Sequence, residues 1–148
     1  MQTNINPDEF FMREALKEAQ KAFDADEVPV GAVVVCNNQI IARAHNLTET
    51  LNDVTAHAEM QAITSAANNI GGKYLDDCTL FVTLEPCIMC SGASGWAQLN
   101  RIVFGAFDKQ KGYTSFQGKI FHPKTKIQGG ILEEECASLL KMFFKKKR

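Results

Sequence analysis

The side chains best suited to chemistry lie in two short motifs, His57-Ala58-Glu59 and Pro86-Cys87-Ile88-Met89-Cys90. Two cysteines three residues apart in the first turn of a helix place both sulfur atoms on one side, and a helix N-terminus favours the thiolate that a metal ion needs. His57, expected at the start of another helix, supplies a third ligand. Three protein ligands leave one tetrahedral position open, which is typical of a catalytic zinc site. The motifs therefore predict one Zn²⁺ held by His57, Cys87 and Cys90.

Glu59 lies two residues after the predicted histidine ligand. That spacing is too short for both side chains to bind one ion comfortably from a helix, yet both can face the same cavity. A carboxylate beside a water molecule activated by zinc can take the proton of that water and later return it to the substrate. We therefore expect metal-assisted hydrolysis with Glu59 as the catalytic acid and base.

Other kinds of site use parts of these motifs. A Cys-x-x-Cys pair occurs in thioredoxin-like redox proteins, but the residues between the cysteines and the preceding proline do not favour that assignment. A structural zinc site needs a fourth ligand, and Cys36, Cys78 and Cys136 lie in or beside apolar segments. A lone His-x-Glu is more often a pair on a helix surface. The two motifs together favour a catalytic site.

The elements that must position these motifs follow from hydrophobic periodicity and from capping and turn residues. Asn6-Pro7-Asp8-Glu9 is typical of a helix start, and Asn37-Asn38 between two apolar segments indicates a β-hairpin. Predicted helices cover residues 7 to 24–27, 56–67, 86–99 and 132–145, and predicted strands cover residues 30–36, 39–44, 79–84, 101–105 and 126–128. A hairpin followed by strands that alternate with helices predicts an α/β fold with a central mixed sheet. No repeat or linker divides residues 1–148, so we expect a single domain.

The overall composition excludes several classes of protein. With 45% hydrophobic and 22% charged residues, the chain is typical of a globular protein and not of a disordered one. No apolar run approaches the roughly 18 residues that span a bilayer, and the first residues lack the pattern of a signal peptide. We therefore expect a cytoplasmic protein. The net charge of -1 gives no overall electrostatic argument for nucleic-acid binding, and the basic residues 145–148 favour a solvated tail at the end of a helix.

A family resemblance emerges from the motifs. The combination of His57-x-Glu59 with Pro86-Cys87-x-x-Cys90 is the signature of zinc nucleobase deaminases. Beyond this signature, the chain resembles the bacterial tRNA adenosine deaminases, which convert adenosine to inosine at the wobble position of the anticodon. The matching segments span almost the whole chain and are Glu27-Val28-Pro29-Val30-Gly31-Ala32-Val33, Asn46, Thr55-Ala56-His57-Ala58-Glu59, Thr83-Leu84-Glu85-Pro86-Cys87, Cys90, Val103-Phe104-Gly105-Ala106, Asp108, Gly130-Ile131-Leu132, Glu135-Cys136-Ala137 and Phe143-Phe144.

The resemblance implies a three-layer cytidine-deaminase-like fold, in which helices cover both faces of a central mixed five-stranded sheet. It also implies one zinc ion per subunit and a homodimer whose two subunits together form the RNA surface. The implied reaction is a hydrolytic deamination at C6 of adenine. In it, Glu59 protonates the ring nitrogen and then the departing amine, and ammonia leaves.

The resemblance further implies substrate contacts at Val28, Asn46, Ala58, Leu84, Glu85, Asp108 and Phe144. Val28 and Ala58 are expected to line the base pocket, and Asn46 to hydrogen-bond the flipped nucleotide. The backbone of Leu84 and Glu85 is expected to meet the exocyclic amine. Asp108 is expected to contact a neighbouring ribose, and Phe144, with the basic tail, to touch the anticodon stem-loop.

One segment departs from the pattern of the family. Residues 109–129 are fewer than in well-known members, and Tyr113-Thr114-Ser115-Phe116 and His122-Pro123-Lys124-Thr125-Lys126 replace a Gly-Ser-Leu and an Asn-His-Arg stretch. Since this segment helps the family to hold the anticodon loop, the departure bears on the substrate and not on the chemistry. Deamination of a free base or nucleoside, such as guanine or cytosine, is the alternative activity. A zinc-stabilised RNA-binding module without catalysis is an alternative of another class, and Glu59 argues against it because a structural site needs no carboxylate there.

Overall fold

The computed structural model describes residues 6–147 of the chain. Its helices are α1 (Pro7–Asp24), α2 (Ala58–Ile70), α3 (Ile88–Trp96) and α4 (Glu133–Lys146). Its strands are β1 (Gly31–Cys36), β2 (Gln39–His45), β3 (Cys78–Leu84), β4 (Arg101–Ala106) and β5 (Lys126–Gln128), and a short 3₁₀ turn covers Tyr113–Ser115. Within residues 6–147, no helix is both long enough and apolar enough to cross a membrane.

The local signals in the sequence correspond to the observed ends of these elements. The side chain of Asn6 caps α1 by accepting a hydrogen bond from the backbone N–H of Asp8. Asn37 and Asn38 both have positive φ angles, 53° and 61°, as a tight hairpin turn between β1 and β2 requires. Helix α3 begins after the predicted residue 86 because Cys87 is its extended N-cap, and it ends before residue 99 because Gln98, with φ of 57°, takes a left-handed conformation that a helix cannot continue.

The five strands form one sheet in the order β2-β1-β3-β4-β5. Strand β1 pairs antiparallel with β2 and β3, whereas β3, β4 and β5 are parallel, so the predicted mixed five-stranded sheet is confirmed. Parallel neighbours end at the same edge of a sheet, and Leu84 and Ala106 are indeed paired there. The start of β1 lies at this edge too, because Ala32 pairs with Val82. The segments before β1, after β3 and after β4 are thereby brought together.

Helices cover both faces of the sheet, which confirms the three layers. Alternate residues of each strand point to opposite faces, so the sheet contributes to two separate cores. Helix α2 packs on one face and contacts α3, and the buried cluster there includes Val34, Ala62, Leu80, Val82 and Ile102. Helices α1 and α4 pack on the other face, where the cluster includes Met12, Val33, Phe81, Val103 and Cys136.

Candidate active site

Two helix N-termini meet beyond the edge where β3 and β4 end. His57 is the N-cap residue of α2 and Cys87 is the N-cap residue of α3, and both have extended backbones with ψ angles of 154° and 175°. Their carbonyl oxygens accept the first hydrogen bonds of each helix, from the backbone N–H groups of Gln61 and Ser91. The two residues therefore precede the first helical turn in which they were predicted. Cys90 does lie in the first turn of α3 and is completely buried.

The three predicted ligands form one compact donor group. The Nδ1 atom of His57 lies 3.6 Å from Sγ of Cys87 and 3.4 Å from Sγ of Cys90. Two ligands of a tetrahedral zinc ion, bound through nitrogen and sulfur at ordinary lengths, are about 3.6 Å apart. Among residues 6–147, this is the one group of at least three His, Cys, Asp or Glu side chains close enough together to hold a metal ion. The donor set thus fits a single zinc ion and leaves a coordination position for water.

The thiol pair is electrostatically prepared for a cation. A hydrogen bond from Cys90, together with the one from His57, lowers the pKa of the Cys87 thiol to about 4, although burial opposes this shift. The same hydrogen bond and burial raise the pKa of Cys90. Zinc binds cysteine as the thiolate, so zinc affinity should depend on pH.

Glu59 lies in the first turn of α2 and is 4% exposed. Burial raises the pKa of this carboxyl group to about 7, against the lowering effects of a backbone hydrogen bond and of nearby His57. A group that titrates near neutral pH can both accept and donate a proton under physiological conditions. This position and this raised pKa are compatible with the proton-transfer role predicted for Glu59.

A cavity of about 550 Å³ opens onto these residues. His57, Glu59 and Cys87 line it together with six of the seven predicted substrate contacts, namely Val28, Asn46, Leu84, Glu85, Asp108 and Phe144. The seventh, Ala58, has no exposed surface and belongs to the core on the α2 face of the sheet. Its side chain therefore packs inside the protein and does not line the cavity.

Several lining residues escaped the sequence analysis. They are Val30, Thr48, Phe107, Lys109, Gln110, Lys111 and Leu140. The segment from Phe107 to Lys111 follows β4 directly, and the shared edge of two parallel strands is the signal that would have identified it. Phe107 and Phe144 are 51% and 48% exposed, whereas the neighbouring Phe143 is buried against Phe23. Of the two C-terminal phenylalanines, only Phe144 is available to a ligand.

The basic tail contributes less free charge than its sequence indicates. The ammonium group of Lys147 lies 2.6 Å from a carboxylate oxygen of Asp26, two residues after the end of α1. The same lysine approaches the ring of Phe143, and Lys146 lies over the ring of Phe23. The last residue of the tail, Arg148, lies outside the described residues. This end of α4 is thus fastened to α1.

Two buried glutamates support the walls of the cavity, and the sequence analysis assigned neither of them this role. The carboxylate of Glu27 has no exposed surface and accepts hydrogen bonds from residues 48–50. The carboxylate of Glu85 is also buried and accepts hydrogen bonds from Asp108 and Thr114. Each acid is followed closely by apolar residues and a proline, in Glu27-Val28-Pro29-Val30 and Glu85-Pro86. That context was the available signal, because an acid is buried only where it has partners.

Comparison with known proteins places this geometry in a family. Residues 5–106 match the cytidine and deoxycytidylate deaminase zinc-binding region. The tRNA-specific adenosine deaminase of Bacillus subtilis (strain 168) is 47% identical over 149 residues, which covers 97% of this chain and 92% of the relative. One similar solved structure comes from a study of A-to-I editing by tRNA:A34 deaminases at the wobble position of transfer RNA. Its TM-score is 0.83 at 40% sequence identity, and the match covers 88% of this chain and 98% of the solved chain.

A guanine deaminase from Bacillus subtilis is also similar in structure, with a TM-score of 0.64 and 40% identity. The match covers 67% of this chain and 64% of the guanine deaminase chain. The similarity to the adenosine enzymes is therefore the more extensive one. From the matched zinc-binding region, the full-length relatives and the shared fold, it follows that the chain belongs to the cytidine and deoxycytidylate deaminase family of zinc-dependent hydrolases.

Proposed function

We propose that this protein hydrolyses adenosine to inosine at the wobble position of a tRNA anticodon, with one zinc ion per subunit. The observation that carries the proposal is that Glu59 and a zinc-ligand group line one cavity, next to the positions expected to hold a nucleotide. The extensive similarity to a tRNA-specific adenosine deaminase and to tRNA:A34 deaminases supports adenosine in tRNA as the substrate. The proposal treats residues 1–148 as one deaminase domain.

The residues of the chain divide the reaction between them. His57, Cys87 and Cys90 hold the zinc ion, which, when bound, makes a water molecule acidic enough to react near neutral pH. Glu59 removes a proton from the attacking water and delivers it to the adenine ring nitrogen as the C6–O bond forms. Glu59 then takes the proton of the new C6 hydroxyl group and passes it to the exocyclic nitrogen, and the C6–N bond breaks to release ammonia as the C6 carbonyl forms. Water and adenosine thereby yield inosine and ammonia, and Glu59 ends the cycle in its initial state.

The surroundings of the cavity suit a nucleotide within a polymer. Asn46 is 7% exposed at the cavity wall, where its amide can recognise a base or ribose. The half-exposed rings of Phe107 and Phe144 offer stacking surfaces for unpaired bases. Lys109 and Lys111, which also line the cavity, can neutralise phosphates. A free base needs none of these outer contacts.

We further propose that the protein is cytoplasmic, where tRNA is modified, and that it forms a homodimer. Two apolar side chains of α3, Ile88 and Trp96, are 52% and 85% exposed. Large exposed apolar side chains commonly mark interaction surfaces. Sedimentation velocity of the zinc-loaded protein should give the mass of a dimer, and Trp96→Lys should shift it towards the monomer.

The decisive experiment measures inosine in an anticodon stem-loop that carries adenosine at the wobble position. Wild-type zinc-loaded protein should form inosine there and leave other adenosines of the same RNA unchanged. Glu59→Gln serves as the inactive control, and free adenosine, guanine and cytosine serve as competing substrates. The similarity to a guanine deaminase makes ammonia release from guanine the relevant alternative. Release from guanine without inosine in the stem-loop would transfer the same chemistry to a free base.

A further inference from the structure

The carboxylate of Glu85 joins two distant parts of the chain. Glu85 directly follows β3, is 2% exposed, and precedes Pro86 and the zinc ligand Cys87. Its Oε1 accepts a hydrogen bond from the backbone N–H of Asp108 at 3.0 Å. Its Oε2 accepts two from Thr114, one from the backbone N–H at 3.0 Å and one from the hydroxyl at 2.6 Å. Both oxygens are therefore occupied by donors from the segment after β4.

These donors stand at the two ends of one loop, residues 108–114, which we call the cavity loop. Asp108 begins it and Thr114 ends it. Its first four residues, Asp108, Lys109, Gln110 and Lys111, line the cavity. Inside the loop, the carboxylate of Asp108 accepts hydrogen bonds from the backbone N–H groups of Gln110 and Lys111. One buried carboxylate thus closes the base of a loop whose tip faces the proposed substrate.

The cavity loop also contacts the segment that carries the predicted zinc ligand Cys87. The backbone N–H of Tyr113 donates to the carbonyl oxygen of Pro86 at 2.8 Å, and Gly112 forms a β-bridge with Cys87. A Cβ atom added to Gly112 would overlap the Glu85 carboxylate. The absence of a side chain at residue 112 therefore permits the close approach. The cavity loop and the zinc ligand Cys87 are held to each other through the segment that starts with Glu85.

We propose that the Glu85 carboxylate is a positioning residue that fixes the cavity loop for productive substrate binding. The backbone role implied by the family resemblance does not include this function of the side chain. Ordering the loop during folding removes an entropy cost that substrate binding would otherwise bear. The proposal rests on the proposed function only for the identity of the substrate, because the hydrogen bonds exist whichever base enters the cavity.

Glu85→Gln tests the closure with little change in shape. Three donors converge on the two carboxylate oxygens, and an amide offers them one oxygen and one NH₂ group, so a donor must face a donor. Thr114→Val removes only the hydroxyl donor, and Thr114→Ser retains it. Thr125→Val is the matched control, since the hydroxyl of Thr125 also donates a short hydrogen bond, to the carbonyl oxygen of Leu99, away from the cavity loop.

The first measurement is hydrogen exchange of the zinc-loaded full chain, which needs no catalytic activity. In Glu85→Gln and Thr114→Val, amides of residues 108–114 should exchange about tenfold faster than in wild type, as expected for the loss of a buried hydrogen bond. Thr114→Ser should restore slow exchange, and Thr125→Val should leave the cavity loop unchanged. Unchanged exchange in Glu85→Gln and Thr114→Val would overturn the proposal, even if both variants melted at lower temperature.

The second measurement separates positioning from chemistry. With the anticodon stem-loop, KM should rise about tenfold in Glu85→Gln and Thr114→Val while kcat and zinc content stay near the wild-type values. A loss of kcat at constant KM, or no kinetic change at all, would contradict a positioning role. If wild-type protein shows no turnover of the stem-loop, the proposed function fails, and the positioning role is tested separately. KM is then measured with a free base that releases ammonia. If no free base reacts, the dissociation constant of the stem-loop replaces KM. Should Glu85→Gln fail to fold, Thr114→Val carries both measurements.

Discussion

The Oε2 atom of Glu27 accepts two hydrogen bonds from Thr50, one from its backbone N–H at 2.6 Å and one from its hydroxyl at 2.7 Å. The Oε1 atom accepts from the backbone N–H of Glu49 at 3.0 Å and more weakly from the hydroxyl of Thr48. A fully buried carboxylate just after α1 therefore holds the loop between β2 and α2. That loop starts beside Asn46 and ends at His57, so its order positions both a proposed substrate contact and a predicted zinc ligand.

We expect Glu27→Gln to lower the free energy of unfolding by about 2–3 kcal/mol at neutral pH, because buried hydrogen bonds to a charged acceptor are lost and a donor is placed against donors. Urea unfolding of the zinc-loaded protein measures this difference. Glu49→Gln, the same substitution at an exposed position of the same loop, is the control and should change stability by less than about 0.5 kcal/mol. Equal effects in the two variants would show that the buried hydrogen bonds contribute no more than an exposed charge.

The contribution of Glu27 should also depend on pH. Burial opposes ionisation of this carboxyl group, but the hydrogen bonds from Thr50, Glu49 and Thr48 outweigh burial and lower its pKa. A lowered folded-state pKa stabilises the protein above the unfolded-state pKa, and this stabilisation is lost as pH falls through the folded-state pKa. The difference in unfolding free energy between wild type and Glu27→Gln should therefore be largest near pH 7 and shrink towards about pH 3. A difference that stays constant over this range would exclude ionisation of Glu27 as its source.

Removal of a zinc ligand should reduce metal content and stability together. In His57→Ala and Cys87→Ala, we expect substoichiometric zinc by metal analysis and a lower melting temperature, because metal binding contributes to the folding free energy. Cys136→Ala removes another buried thiol, on the opposite face of the sheet, and should retain one zinc ion per chain. Full zinc occupancy in both ligand variants would mean that the metal is held elsewhere.

Substitution of Glu59, the predicted catalytic carboxylate, should separate chemistry from metal binding. Glu59→Gln retains the shape of a residue that is 4% exposed but cannot transfer the proton, so we expect kcat to fall by about 10²–10⁴ with zinc content unchanged. Glu134→Gln, on the exposed side of α4, should leave kcat unaltered. Normal turnover by Glu59→Gln would assign the proton transfer to another group.

The sequence was most informative where local signals agree with the tertiary structure. Two apolar segments separated by the Asn37-Asn38 turn predicted the hairpin, and the spacing of Cys87 and Cys90 predicted a shared donor group. The hydrogen bonds of Glu27 and Glu85 could not be deduced in this way, because their partners lie 21 to 29 residues along the chain and no periodic pattern records such pairs. Ala58 shows the opposite limit. It lies between a predicted ligand and a predicted catalytic residue in sequence, yet its methyl group packs in the core.

Phe143 and Phe144 are adjacent in α4 but have different surroundings, and this difference gives a matched pair of substitutions. Phe143 is 4% exposed and its ring contacts that of Phe23, whereas Phe144 is 48% exposed and lines the cavity. Phe143→Ala should lower the free energy of unfolding by about 3 kcal/mol or more, because it leaves a void between α1 and α4. Urea unfolding measures this loss, which Phe144→Ala should not show.

Phe144→Ala should instead weaken the interaction with RNA. Removal of one base-stacking ring typically costs a factor of about ten or more in affinity, so kcat/KM for the anticodon stem-loop should fall by at least that factor while melting temperature and zinc content remain those of wild type. Phe144→Tyr keeps a stacking ring and should preserve kcat/KM, which distinguishes stacking from mere exposure. If Phe144→Ala processed the stem-loop as efficiently as wild type, the RNA would have to approach the cavity from the side of Phe107 and the cavity loop, and the end of α4 would serve only to fasten α1.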